Sequence, residues 1–492
     1  MSDTDFGATQ AQAWLSRPVA EIQSGMERGE VTACDLVAAC LSRTARYDQA
    51  GPGLNAVLEI NPDAWHIAEA LDLERKTRGP RGPLHGIPVL VKDNIDTGDR
   101  MHTSAGSIAL KDSYAAKDAF VAKRLRDAGA VILGKGNMTE WANFMTQGMP
   151  SGYSSRGGQV KNPYGPGRFD VGGSSSGSGA AVAADLAVMA VGTETSGSIL
   201  SPSSQNSLVG IKPTVGLVSR SGIIPISHSQ DTAGPMAHTV ADAATLLQVL
   251  MGRDADDPAT WRIPADFPHD LTAHLDAGAL RGARIGVPRS GVWDKLPASK
   301  QAVMEEAIRA LRDAGAQVVD PADIPTVTAP WGLEVLVHEF KPALNAYLGR
   351  LAPHVPVHTL ADVIAFNLRY ADKMLKYGQV WMLEAEKTSG SLTDPAYIRA
   401  RLRDLRWSRA EGIDRVLSDH GLDALLFPNN LGAGIAAKAG YPSITVPAGY
   451  TGEGEPVGAT FTGPAFSEPR LIRLAYAFEQ FTQARRAPRL DA

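Results

Sequence analysis

Residues 172–198 read GGSSSGSGAAVAADLAVMAVGTETSGS. Glycine and serine crowd both ends, and a run of small apolar residues lies between them. Glycine is used this densely where the backbone must turn sharply or approach a ligand closely. The middle reads as a helix of Gly, Ala and Val over 177–185, then a central strand over Leu186–Val191. That strand would deliver Thr193–Ser198 to a sheet edge, where ligands of open α/β sheets bind. Ser174 and Ser198 then stand at the two rims of one buried segment, 24 positions apart.

About 80 residues upstream, Lys92 follows the apolar run Ile87-Pro88-Val89-Leu90-Val91. A lysine closing a buried strand is uncommon, because lysine is almost never fully buried without a partner. One lysine and two serines are the equipment for acyl transfer from a serine nucleophile with a neutral amine as base.

These residues resemble the amidase signature family. The resemblance implies a Ser–cis-Ser–Lys triad. The first serine after Gly-Gly, Ser174, is then the cis serine. The last serine of the Gly192–Ser198 segment, Ser198, is the nucleophile, and Lys92 is the base. The following Gly210-Ile211-Lys212-Pro213-Thr214 is also similar to the family. The likeness runs from the helix near Glu21 to Pro456-Val457-Gly458. Residues 214–220 and 224–235 resemble its peptide-amidase-like branch. Ser196 departs from the pattern, standing where the family usually has Gly, or Asp in that branch. The departure bears on the substrate and leaves the triad intact.

The chemistry sets demands on each residue. Free lysine has a pKa of about 10.4, and bringing Lys92 near 7–8 corresponds to roughly 3–5 kcal/mol supplied by burial and nearby dipoles. Asp93 and Asp96 would oppose this shift, so both are expected to face elsewhere. Ser174 would relay the proton of Ser198 to Lys92. The expected oxyanion hole is the backbone N–H groups of Thr195, Ser196, Gly197 and Ser198, each donor worth about 3–4 kcal/mol in the transition state. Ser196 and Gly197 are also the candidate substrate contacts, since Gly197 has no side chain to block an acyl group. Glu194 is expected to hold the Ser198 loop.

Composition narrows the function classes. The chain has 492 residues, 44% hydrophobic and 21% charged, with a net charge of −5. This is ordinary for a soluble globular protein. Lys and Arg are scattered, with no stripe for nucleic acid. Cys34 and Cys40 lie six apart on a probable helix and face different ways, so no disulfide is expected. His85, His228 and His238 are isolated, and no metal spacing is found. No phosphate-binding glycine loop argues for a nucleotide. No apolar stretch is long enough to span a bilayer, and the acidic opening Met1–Asp5 lacks a secretory h-region. A cytoplasmic location is the expectation.

The pattern predicts one large α/β domain over 1–492. A central mixed sheet is flanked by helices, the core falls at about 80–250, and a variable helical cap at about 330–415. Two helices are expected over 17–48, with Thr32 and Asp35 opening the second. Residues 83–92 read as a buried strand. Two helix–Gly–strand units are expected, around Gly129 and around Gly315. Residues 252–282 read as a connector, 422–427 and 443–447 as strands, and 469–483 as a final helix. The aromatics of the cap, among them Phe340, Tyr347 and Tyr370, are expected mostly to pack helices.

The reading is a cofactor-independent amidohydrolase working through an acyl-enzyme, with no metal. Its expected partner is a small-molecule or peptide amide, foremost a peptide C-terminal amide, with no nucleic acid, membrane or obligate partner chain. Aryl amides, carbamates (urethanes) or esters are one alternative. A glutaminase subunit of a tRNA-dependent amidotransferase is another. Gly173-Ser174-Ser175-Ser176-Gly177 also satisfies the G-x-S-x-G pattern of α/β-hydrolases, with Ser175 as nucleophile, but no apolar strand directly precedes it.

Overall fold

A computed structural model describes residues 11–491; the acidic opening at Met1–Asp5 lies outside them. The strands are β1 Val57–Ile60, β2 Pro88–Lys92, β3 Val131–Gly136, β4 Tyr153–Ser154, β5 Gly158–Gln159, β6 Met189–Glu194 and β7 Val209–Lys212. They continue as β8 Thr232–Ala237, β9 Arg284–Gly286, β10 Gln317–Val319, β11 Ala424–Pro428, β12 Ser443–Tyr450 and β13 Pro456–Thr462. Eleven of them form one mixed sheet in the order β1-β3-β2-β6-β8-β7-β12-β13-β11-β9-β10, and β4 pairs with β5 alone. Helices flank this sheet, so the large α/β architecture agrees with the expectation.

The pairing of the central strands decides where chemistry can sit. β2 runs parallel to both β3 and β6, with Val91 opposite Val191. β6 runs antiparallel to β8, with Glu194 opposite Thr232. The C-terminal ends of β2 and β6 and the entry to β8 therefore meet at one rim. Lys92, Thr195 and Asp231 are brought there from three distant parts of the chain.

Local signals explain most elements. Thr32 caps the helix Ala33–Arg43: its hydroxyl accepts from the Asp35 N–H at 3.1 Å, and Asp35 accepts in return from the Thr32 N–H at 2.9 Å. Such a cap is worth about 1 kcal/mol. The helices Phe120–Asp127 and Ala298–Asp313 each lead through a glycine into a strand, β3 and β10. Both cysteines are free, and Cys40 is fully buried on the helix face that meets the core.

One expectation needs correction. The strand expected over Leu186–Val191 is displaced to Met189–Glu194. The helix Ser176–Ala183 does not hand over directly: Asp185 takes a left-handed φ of 56°, and the Leu186 N–H returns to the Ala181 carbonyl at 2.8 Å. Residues 184–188 are used in ending the helix, so Thr193 belongs to the strand. The sequence pattern does not mark β13 as a strand. It is buried along its whole length between β12 and β11, and such a strand shows no alternation.

The helices between 330 and 415 gather their own apolar cluster. Phe340 and Leu344 of the helix Glu334–Leu348 pack with Trp141, Phe144, Ile224 and Ile226. The Phe144 and Phe340 rings meet edge to face at 5.0 Å. Phe340 and Tyr347 are buried, whereas Tyr370 is exposed.

Candidate active site

Lys92 is the last residue of β2 and has no exposed surface. Its Nζ lies 2.8 Å from the Ser174 Oγ, 2.9 Å from the Thr193 Oγ1 and 3.3 Å from the Thr193 carbonyl oxygen. The Asn94 amide donates to the same Thr193 hydroxyl at 3.0 Å and fixes it from the other side. Burial pushes the lysine from its ordinary 10.5 down to about 7, against the opposing pull of Glu194 and Asp231. Its sequence neighbours face away, as the chemistry requires. Asp93 accepts from the Ser104 hydroxyl and from the Gly106 N–H at 2.9 Å. Asp96 accepts from the Tyr347 hydroxyl at 2.7 Å.

Ser174 sits in the turn before the helix Ser176–Ala183, and the Gly173–Ser174 peptide is cis. Its carbonyl accepts from the Thr139 N–H at 3.1 Å. Gly172 has a φ of +71°, and a Cβ there would lie 2.6 Å from the Pro202 Cα. This turn can press against the residues after Ser198 only because Gly172 has no side chain. The Ser175 N–H donates to the Ser198 carbonyl at 3.2 Å, which ties the two serine loops together.

Ser175 itself is unsuited to attack. It is fully buried, and its hydroxyl both donates to the Thr193 carbonyl at 3.0 Å and accepts from the Thr193 N–H at 3.2 Å. It serves as a brace between the serine turn and β6.

Ser198 follows β6 in a loop organised by Glu194. The buried Glu194 carboxylate accepts from the N–H groups of Gly197 at 2.7 Å, Ile199 at 2.7 Å and Leu200 at 3.0 Å. This holds the loop as expected, and it corrects the expected oxyanion hole. The Gly197 N–H is engaged by a carboxylate and is not free to donate to a substrate. The amides of Thr195, Ser196 and Ser198 are not drawn into this web. Gly197 keeps a steric part: its φ is +86°, and a Cβ would come within 3.0 Å of the Asn430 amide.

Thr195 is held from the opposite side by the segment entering β8. Its hydroxyl donates to Asp231 at 2.5 Å, and its carbonyl accepts from the Gln230 amide at 3.3 Å. Asp231 also accepts from the N–H groups of Ile226 and Ser227, both at 2.9 Å. Burial raises its pKa to about 6. Sequence does not single out Thr193 and Asp231. Their only signal is their place beside the two motifs.

Ser196 is the one exposed residue between Met189 and Leu200. A cavity of about 880 Å³ opens against Thr193, Glu194 and Thr195, with Ile224, Tyr347 and Leu351 among its other walls. Lys92, Ser174 and Ser198 do not line it; Ser198 follows three positions after the wall residue Thr195. A volume of this order is typical of a small-molecule pocket, about 300–1,000 Å³. Among the described residues no three His, Cys, Asp or Glu side chains gather as metal ligands, and no helix is long and apolar enough to cross a membrane.

The family described as Amidase matches residues 35–438. The chain belongs to the amidase signature family. Its structure is similar to native peptide amidase from Stenotrophomonas maltophilia, with 48% identity and a TM-score of 0.90 over 96% of this chain and 98% of that one. A probable amidase of Arabidopsis thaliana is 42% identical, covering 96% of this chain and 91% of its own length. A glutamyl-tRNA(Gln) amidotransferase subunit from Cereibacter sphaeroides is more distant, 34% identical over 94% of this chain and 96% of that one. This chain is therefore an amide-hydrolysing enzyme with peptide amidase among its structural neighbours.

Proposed function

We propose that this amidase hydrolyses unsubstituted carboxamides through an acyl-enzyme on Ser198, with peptide C-terminal amides as the leading substrate. The observation carrying this reading is the fully buried Lys92 with its Nζ 2.8 Å from the Ser174 Oγ and, among the described residues, no carboxylate in contact. A neutral amine has one lone pair and two N–H groups. Thr193 offers two acceptors for those N–H groups, which leaves the lone pair for the Ser174 proton.

The reaction runs as a relay. Ser198 Oγ attacks the carboxamide carbon, its proton passes to Ser174 Oγ, and the Ser174 proton passes to Lys92 Nζ. The negative charge on the former carbonyl oxygen is met by N–H groups drawn from Thr195, Ser196 and Ser198. The relay then reverses, the leaving nitrogen takes the proton, and ammonia departs. Water attacks the ester, gives its proton to the same relay, and Ser198 recovers its hydrogen as the acid leaves. No cofactor enters any step.

The likeness to peptide amidase favours a peptide acyl group over free glutamine. The test is a panel of peptide amides, anilides, carbamates and glutamine with the purified lone chain. Highest kcat/KM on peptide amides is expected. Turnover of glutamine alone, and only with added subunits, would assign the chain to the amidotransferase reading.

The exposed Ser196 favours a second reading, in which bulkier leaving groups are also accepted. In the peptide-amidase-like pattern an aspartate places charge here; serine is small and neutral. S196D is expected to shift the peptide-amide to anilide ratio of kcat/KM about tenfold or more towards the peptide amide, the size of one hydrogen bond to a charged group. A ratio unchanged across wild type, S196D and S196G would leave Ser196 only its backbone.

A further inference from the structure

We propose that Glu339, on the cap helix Glu334–Leu348, is a positioning residue for the Ser198 loop, acting through the turn 227–231 and Thr195. Glu339 is fully buried, and its helix neighbours Val335, Leu336, Phe340 and Leu344 are all buried in the apolar cluster of the cap. A carboxylate in such a place is costly unless donors surround it. One of its oxygens accepts from the Ser227 hydroxyl and from the Ser229 N–H at 3.1 Å, with the His228 Nδ1 at 3.5 Å. The other accepts from the Tyr397 hydroxyl at 2.9 Å.

The turn that Glu339 grips continues to the site. The N–H groups of Gln230 and Asp231 both close onto the Ser227 carbonyl, at 3.1 and 2.9 Å. The Ser227 N–H in turn donates to the Asp231 carboxylate, which accepts from the Thr195 hydroxyl. Gln230 holds the Thr195 carbonyl. Thr195 is thus fixed at side chain and backbone by a turn whose outer end is fastened to the cap. Glu194 fixes the loop from within the sheet, and Glu339 fixes it from the cap. The cap thereby acts on the rate of acylation.

This inference rests on Ser198 being the nucleophile, which the S198A variant tests separately. Coupling between the two sites is measured by a double-mutant cycle on kcat with a peptide amide. E339L is expected to lower kcat roughly tenfold with KM within about twofold, the effect of leaving buried donors unpaired. In a T195V background the same change is expected to cost less than about twofold. E339Q can turn its oxygen to the 227–229 turn and its NH₂ to Tyr397, so it should restore most of the activity. Y397F, which cuts only the link within the cap, should leave kcat unchanged. Equal losses in both backgrounds, a loss confined to KM, or a Y397F defect matching E339L would each overturn the proposal. If E339L does not fold, S227A cuts the same link from the turn and is read by the same cycle. A dead S198A with additive E339L and T195V would sink this inference alone.

Discussion

Ser198→Ala is expected to lower kcat about a million-fold, the scale seen when a serine hydrolase loses its nucleophile, while the thermal melt stays close to that of the wild type. Ser198 is buried, and among the described residues its hydroxyl contributes no hydrogen bond to another element, so its loss does not loosen the fold. No neighbour can take over. Ser175 is committed to the Thr193 backbone at both its donor and its acceptor. Ser174 is bound to Lys92 and lies in the turn before the helix. Ammonia release from a peptide amide measures the loss, and mass spectrometry after a serine-directed fluorophosphonate locates the reactive group. Label on Ser198 in the wild type and none in S198A is the expected pair of results. Label on Ser175 would overturn the assignment and return the chain to the α/β-hydrolase reading.

What can be read from the sequence is whatever neighbours in sequence announce. The two glycine/serine rims and a lysine closing an apolar run are local patterns, and they locate Lys92, Ser174 and Ser198. Glu194 is legible as a loop holder because it lies within six residues of every amide it grips. Asp231 and Glu339 are not legible. Thr195 meets Asp231 across 36 positions, and Ser227 meets Glu339 across 112, so both contacts exist only once the sheet and cap have closed. The same limit explains the Gly197 amide. Its place in the loop suggests a free donor, and only the direction of the Glu194 side chain shows that it is taken. Fold class is legible from alternating helix and strand signals, but the strands β1, β4, β5, β7, β8 and β9 go unmarked, and β6 and β13 show two opposite reasons for a miss. β6 begins later than its composition suggests, because the helix before it ends in a left-handed turn that composition does not reveal. β13 goes unmarked, because a strand buried on both faces carries no periodicity.

Lys92→Met is expected to abolish the rise of activity with pH and to remove a pH dependence of stability. With a pKa of about 7 in the folded enzyme, the wild-type amine is charged below that pH and cannot accept the Ser174 proton. kcat/KM should therefore climb about tenfold per pH unit up to pH 7 and level off above pH 8. K92M should lose roughly 10²–10⁴ in kcat, the usual contribution of a general base, with no such rise. Stability gives a readout independent of turnover. In the unfolded chain the same lysine titrates near 10.5, so between pH 7 and 10.5 the unfolded state binds more protons than the folded one. Folding stability contributed by this group therefore rises with pH across that window and is lowest below pH 7, where a charged amine must be buried. Methionine carries no such burden. The melting temperature of K92M minus that of the wild type should thus be most positive near pH 6 and should fall as pH rises to 10. Lys212, which is also buried and lowered to about 8, adds its own slope to both proteins and cancels in the difference. A difference that stays flat from pH 6 to 10, together with wild-type activity that stays flat down to pH 5, would show that Lys92 is not the neutral base of this site.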